Sequence, residues 1–312
     1  MDSRRLRYFV AVAECGSFTA ASRQLGVAQP ALSRHVKSLE TDLGITLFVR
    51  SASGVALTRE GGDLLRHGRR ALDELEQIPK LLAQGGAPLS GRVAIGLPTS
   101  TSAVLSKPTL LAVTERHPAV RLHLVESLSG FLSEWIESGR LDLAVLFDVE
   151  TQPHLHVEPL LIEDLWLVGR PDAFPAREAE IPIRSLGRYP LLLPSVSHSH
   201  RSLLGKMTLS HGVQLNVVAE VDSLAVLKAI VSSEPLFSIF AQSAVHAEVA
   251  AGKLHAARLV EPVISRSVSL VASTARGRSR AAREVGTLVA DLARDLVIAG
   301  TWQGRLPSAA GS

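Results

Sequence analysis

Two changes of apolar rhythm along the chain predict an α/β protein with a separate helical N-terminal part. Up to about residue 82, apolar side chains recur at helical spacing; beyond Gly91, short and nearly continuous apolar runs alternate with helical stretches. Such runs are what strands covered on both faces look like, and their alternation with helices marks βαβ units in a predominantly parallel sheet, or in two sheets. Between the two regimes, Gly85-Gly86-Ala87-Pro88-Leu89-Ser90-Gly91 reads as a linker.

The first elements are short. Leu6, Phe9, Val10 and Ala13 share one helical face, and Gly16 and Gly26 punctuate soon after. Thr19 is the expected N-cap of a second helix, Ala20 and Ala21 suit close helix contact, and Gly26 suits a left-handed helix end. Pro30 then falls in the first turn of a further helix whose buried stripe is Leu32, Val36 and Leu39. Two short helices around a glycine turn make a helix-turn-helix. Its second helix presents Gln29, Pro30, Ser33, Arg34 and Lys37 outward. Arg suits a bidentate contact with guanine and Gln one with adenine in the major groove. Phe48-Val49-Arg50 and Val55-Ala56-Leu57-Thr58 flank Gly54 as a two-stranded wing, with Arg50 placed for phosphate or the minor groove. The plainer reading is a helical bundle whose basic residues are merely solvated.

From Arg59 to Leu82 the steps of four and three between Leu64, Gly68, Ala71, Leu75, Ile78 and Leu82 are those of a coiled-coil seam, and Pro79 is a point for a kink. A helix packed on its own domain is the alternative. The α/β region is expected as strand Arg92–Leu97, helix Ala103–Arg116, strand Arg121–Val125, helix Leu128–Ser138 and strand Leu141–Phe147. Strands Leu191–Leu193, Asn216–Val221 and Leu236–Phe240 and a last helix over about Ala281–Ile298 complete it.

The N-terminal stretch resembles the LysR-type transcriptional regulators. The resemblance is carried by Leu6-Arg7-Tyr8-Phe9-Val10-Ala11-Val12-Ala13-Glu14, Gly16-Ser17-Phe18-Thr19-Ala20-Ala21, Gln29-Pro30-Ala31-Leu32-Ser33-Arg34, Leu39-Glu40, Leu43-Gly44, Leu47-Phe48 and Leu57-Thr58. It implies a winged helix-turn-helix (1–58), a dimerising linker helix and hinge (59–90), and a two-lobed effector-binding α/β domain (91–303) similar to periplasmic binding proteins. Lobe I would take about 91–161 and 266–303, lobe II about 162–265, with strands crossing near Leu160–Ile162 and Val263–Arg266. Further segments continue the resemblance: Gly91 to Pro98, His117-Pro118, Gly139 to Ala144, Val221-Asp222-Ser223 and Leu227-Lys228. The linker seam then implies an antiparallel or parallel helix pair between protomers, the family favouring antiparallel, and hence a homodimer or homotetramer. Gly96-Leu97-Pro98 and Glu126-Ser127-Leu128-Ser129-Gly130 resemble the nitrogen-assimilation-control branch.

Two departures stand out. The family's usual Ser before Gln29 is Ala28 here, which removes an N-cap hydroxyl worth about 1 kcal/mol and implies weaker intrinsic DNA affinity. Its usual glycine-rich turn is replaced by Ser233-Glu234-Pro235-Leu236-Phe237, expected to affect either the cleft edge or a tetramer contact.

Ligands of α/β sheets bind beyond the carboxyl ends of strands. The expected effector cleft therefore combines Thr99, Ser100 and Thr101 after the first strand, Ser127 and Ser129 after the second, and Ser195 and His200 in the second lobe, with Ser197, His198 and Arg201 nearby. Hydroxyls and helix N-termini there favour a small polar or anionic ligand; each hydroxyl taken singly is better explained as a helix cap.

Enzyme signals are lacking: there is no Gly-rich phosphate loop, nucleophile elbow or HExxH. His154/His156 and His198/His200 lack a carboxylate or cysteine cluster at ligand spacing, and Asp142 reads as a loop-geometry residue. No catalytic residue, metal or cofactor is expected. With 46% hydrophobic and 20% charged residues the chain is ordinary for a globular protein, and its +3 net charge decides nothing about nucleic acid. One cysteine, Cys15, rules out an intrachain disulfide; no signal peptide and no span of ~20 apolar residues is expected, so the location expected is cytoplasmic. The partners implied are a double-stranded DNA operator, a small effector and RNA polymerase. The readings left open are a ligand-responsive regulator, a ligand-independent regulator whose C-terminal domain serves only oligomerisation, and an enzyme or solute-binding protein with a DNA-binding appendage.

Overall fold

Helical periodicity in the first 43 residues becomes three helices, α1 (Ser3–Cys15), α2 (Phe18–Leu25) and α3 (Gln29–Leu43), in a computed structural model. The structure describes residues 2–51, 54–82, 88–175, 178–195, 199–274 and 278–307. Two strands follow, β1 (Phe48–Ser51) and β2 (Gly54–Leu57), paired antiparallel as the expected wing, and then α4 (Arg59–Leu82). The chain divides into two units, Met1–Gly91 and Arg92–Ser312.

In the first unit, Phe9, Val12, Ala21, Leu32, Val36, Leu39 and Leu47 are fully or almost fully buried. Burying a side chain of the Val, Leu or Phe class is worth about 1.5–3 kcal/mol, so this stripe holds three short helices that would not persist alone. The cap of α2 is Ser17 rather than Thr19: its hydroxyl accepts from Ala20 N at 3.4 Å. The helix begins two positions earlier than expected because Phe18 joins the core beside Phe48, with ring centroids 5.7 Å apart. Gly26 ends α2 at φ 65°, where its N–H reaches back to Arg23 and Ser22 carbonyls.

On α4 the expected seam divides. Leu64 packs with Leu6, Phe9, Val10 and Leu72, and a Cβ at Gly68 would come 2.7 Å from Leu6 Cδ1. Gly68 therefore admits α1 of its own unit, not a partner helix, and Leu72, outside the seam, is the buried position. Ala71 and Leu75 are exposed, and the side chains of Ile78 and Leu82 lie outside what the structure describes.

The second unit runs β3 (Gly91–Leu97), α5 (Thr99–Arg116), β4 (Val120–Glu126), α6 (Ser129–Glu137), β5 (Leu143–Phe147) and β6 (Leu155–Gly169). Then come β7 (Glu180–Pro182), a 3-10 turn (Ile183–Arg188), β8 (Leu191–Leu193), α7 (Ser199–Ser210), β9 (Val217–Glu220) and α8 (Leu224–Ser233). It ends with β10 (Ser238–Ala241), a 3-10 turn (Gln242–Val245), α9 (His246–Ala250), β11 (His255–Val260), β12 (Ser265–Ser273) and α10 (Arg280–Ile298).

The sheet is not predominantly parallel. Its order is β4-β3-β5-β12-β6-β11-β7, with β10 also on β6. Among the described residues β3/β5, β7/β11 and, in a separate pair, β8/β9 run parallel, whereas β5/β12, β12/β6, β6/β10 and β6/β11 are antiparallel. The cause is that β6 is one long strand running on from the β12 side of the sheet to the β10 and β11 side, antiparallel to each of these neighbours. From Leu155 to Asp164, β6 pairs with β12; from Leu165 to Gly169 it pairs with β10 or β11. The handover at Asp164–Leu165 lies just beyond the expected crossing at Leu160–Ile162. Separate cores flank it, one around Leu132, Ile136 and Leu146, the other around Leu165, Leu193 and Ile239.

The chain after α10 clasps this handover. Trp302 is fully buried, Ile162 and Arg305 exchange backbone hydrogen bonds of 2.8 Å, and Arg305 pairs with Asp164 at 3.0 Å. The Ser233–Phe237 turn does not line the cleft. Phe237 enters the lobe II core, and the turn packs on Gly169, whose added Cβ would lie 2.7 Å from the Phe237 ring.

Candidate nucleic-acid interface and candidate ligand cleft

Leu32, Val36 and Leu39, at i, i+4 and i+7, turn one side of α3 into the core, so the opposite side must face out. Gln29, Pro30, Arg34 and Lys37 are exposed there and Ser33 is partly covered. This face is the sequence-derived set brought together on about three turns of helix. Ala28 caps α3 in extended geometry (φ −65°, ψ 133°) with no side-chain hydrogen bond, as the missing hydroxyl implies. The wing lies beside the α1–α2 turn through Val55 N to Gly16 O at 3.1 Å. Arg50 occupies β1 opposite Val55; its side chain lies outside what the structure describes.

In the second unit, the ends of β3, β4, β5 and β10 and the starts of α5, α6 and α8 converge on a cleft of about 580 Å³, part of it open to solvent. Thr99, Ser100, Ser127 and Ser129 line it together with Pro98, Leu128, Phe147, Pro194, Asp222, Leu224, Leu227, Phe240, Ala241 and Arg266. The helices α5 and α6 begin at this cleft with Pro98 and Leu128 as N-caps, neither giving a side-chain hydrogen bond. Their first N–H groups are left to whatever enters.

Three expected residues do not line the cleft. Thr101 is fully buried with Leu105, Thr109 and Val113 on the core stripe of α5, because that helix starts at Thr99 and not at Ala103. Ser195 braces the wall: its N–H donates to Asp222 Oδ1 at 2.8 Å. Arg201 borders a different groove, with Thr208, Leu209 and Val213. Ser197 and His198 lie outside the described residues, as does the side chain of His200 in α7.

The cationic group of the cleft is Arg266, which sequence reasoning missed. Its guanidinium carbon stacks 3.6 Å from the Phe147 ring centroid, Nε donates to Glu163 Oε1 at 2.8 Å and Nη2 to Ser100 Oγ at 3.0 Å. Glu163 also accepts from Trp302 Nε1 at 2.8 Å and Ser243 Oγ at 3.2 Å. Both ends of the Arg266–Glu163 pair are buried, and removing one partner from such a pair typically costs about 3–5 kcal/mol. Nη1 donates to none of the described residues. The only clue in the sequence was an Arg at the start of an apolar run.

At the neighbouring position on β6, burial alone would raise the pKa of Asp164. Hydrogen bonds from Ser265, Arg305 and Arg258 outweigh it and hold the carboxyl below its ordinary value. Asp142 has the expected geometric part: it brackets Ala94, its Oδ2 accepting from Ala94 N and its own N donating to Ala94 O, each at 2.8 Å.

A winged helix-turn-helix followed by a two-lobed α/β domain with a cleft defines a class of transcriptional regulators. Residues 3–62 match the bacterial regulatory helix-turn-helix protein, lysR family, and residues 86–294 match the LysR substrate binding domain. The chain belongs to the LysR family of DNA-binding transcriptional regulators, which are not enzymes. Among its relatives, the HTH-type transcriptional regulator BbuR of Bordetella bronchiseptica is 34% identical over 97% of this chain and 94% of its own. The nitrogen assimilation regulatory protein nac of Klebsiella aerogenes is 31% identical over 94% of this chain and 95% of its own. In fold, a full-length OxyR variant from Pseudomonas aeruginosa superposes with a TM-score of 0.75 at 24% identity, covering 99% of both chains. CbnR complexed with its target DNA does so at 0.55 and 22% identity, over 94% of this chain and all of that one (100%). Among the described residues no helix is long and apolar enough to cross a membrane.

Proposed function

We propose that this regulator reads a double-stranded operator through Gln29, Pro30, Ser33, Arg34 and Lys37, with Arg50 on backbone or minor groove, and that a small polar or anionic effector in the cleft sets its output. Two helix N-termini without side-chain caps, opening on a cleft that Arg266 also lines, carry the effector reading. Each contributes N–H donors and partial positive charge, while Phe147, Leu224 and Phe240 supply an apolar wall. Since Glu163 balances Arg266, the helix ends and the hydroxyls of Thr99, Ser100, Ser127 and Ser129 are what favour a polar or anionic group. Ser195 supports the site from behind, its N–H holding the carboxylate of Asp222.

An effector that prefers one lobe arrangement shifts the population of assembly geometries, and with it the spacing of the DNA-reading heads. The assembly is a cytoplasmic homodimer or homotetramer built on the α4 seam, acting on RNA polymerase at the promoter. A ligand-independent reading, with the C-terminal unit serving only oligomerisation, draws on the exposed Leu110 and Leu111 of α5 and Val226 of α8.

A thermal-shift screen of small polar and carboxylate metabolites separates the two. An effector at a hundred times its Kd adds about 2.7 kcal/mol of stability. The expected result is a hit whose shift is lost in Ser129→Pro, which removes an N–H at the start of α6. Absence of any hit across the panel favours the ligand-independent reading.

A further inference from the structure

We propose that Glu40 is a positioning residue of the DNA-reading unit: one carboxylate fixes the wing against the recognition helix and restrains the ammonium of Lys37. The inference rests on the reading that α3 and the wing meet DNA. Glu40 lies in the last turns of α3 with only 12% of its side chain exposed. Its Oε1 accepts the N–H of Leu47 at 2.8 Å and that of Phe48 at 3.4 Å, where the chain enters β1. Its other oxygen, Oε2, faces Lys37 Nζ at 3.6 Å, one turn back on the exposed face.

The opposite backbone group of Leu47 is held as firmly. Its carbonyl accepts from Thr58 N at 3.0 Å, while the Thr58 hydroxyl donates to the adjacent Thr46 carbonyl at 2.8 Å. Thr58 Oγ1 in turn accepts from Gly61 N at 2.9 Å, and any side chain at Gly61 would collide with the Leu47 carbonyl. Leu47 is thus tied by its N–H to the recognition helix and by its C=O to the start of α4. An amide oxygen can hold the Leu47 N–H as a carboxylate does. Only the negative charge reaches Lys37.

Lys37 is 77% exposed, so its attraction to Glu40 is weak in water. It still opposes transfer of the ammonium to a phosphate, because the carboxylate cancels part of the charge that would displace a counterion. The two roles separate on substitution: Glu40→Gln keeps the acceptor and removes the charge, whereas Glu40→Ala removes both.

The test is the salt dependence of binding to a labelled random-sequence duplex by fluorescence anisotropy, for wild type, Glu40→Gln, Glu40→Ala, Lys37→Ala and Lys37→Ala/Glu40→Gln. Lys37→Ala should flatten the slope of log K against log salt, and Glu40→Gln should steepen it by up to about 0.9 per head. The double variant should match Lys37→Ala alone. By hydrogen exchange, the Leu47 and Phe48 amides should stay protected in Glu40→Gln and exchange at least about tenfold faster in Glu40→Ala. Should Glu40→Ala not fold, the other four proteins decide. Equal slopes for wild type and Glu40→Gln, with Lys37→Ala flattened, would overturn the inference while leaving the reading of α3 intact. A slope unmoved by Lys37→Ala would overturn that reading and the inference with it.

Discussion

Ala28 occupies an N-cap whose backbone already has the extended geometry that Ser, Thr, Asp or Asn would use. Ala28→Ser should therefore stabilise the N-terminal unit by about 1 kcal/mol, raising its melting temperature by about 4–8 °C if that unit melts separately. A calorimetric scan with no upward shift would show that the first turn of α3 does not need the hydroxyl. At Asp164 the folded pKa lies below the ordinary 3.8, so the group binds fewer protons folded than unfolded at mildly acid pH. Its stabilising contribution is present above the unfolded pKa and is lost as pH falls through the folded one. Urea midpoints of the wild type should fall more steeply than those of Asp164→Asn between about pH 5 and pH 3; parallel curves would place the acid sensitivity elsewhere.

Elements with strong periodicity were legible in the sequence, and those governed by distant partners were not. The exposed face of α3 follows from Leu32, Val36 and Leu39 alone, and the wing from two short runs around Gly54. On α4, Gly68 fits the seam spacing, yet it packs on Leu6, a residue 62 positions earlier in the chain; heptad spacing cannot distinguish a partner helix from a neighbour in the same unit. Thr101 was misplaced for a related reason: Pro98 starts α5 early, which turns that hydroxyl into the core. The positions of α4 still open to a partner include Ala71 and Leu75, the latter 47% exposed. Leu75→Glu should shift the protein towards monomer in sedimentation velocity while leaving its far-ultraviolet circular dichroism unchanged. An unchanged dimer or tetramer would move the assembly surface off this seam.

Taken as a whole molecule, the chain combines a DNA-reading unit with an α/β unit whose two crossing strands meet the cleft and the C-terminal clasp at Glu163, Asp164 and Arg266. None of that convergence is visible in sequence, where Ser100, Glu163, Arg266 and Trp302 are separated by up to about two hundred residues. The family resemblance supplied the cleft, and side-chain geometry supplied its cation. If α3 reads base edges, Arg34, exposed on its outer face, is a basic side chain suited to a bidentate base contact. The most direct measurement compares wild type and Arg34→Ala on a duplex selected from a random pool by the wild type, and on random-sequence DNA. Arg34→Ala should lose about 1–3 kcal/mol per lost base contact on the selected duplex, with random-sequence affinity changed far less. Equal discrimination between the two duplexes by both proteins would contradict it.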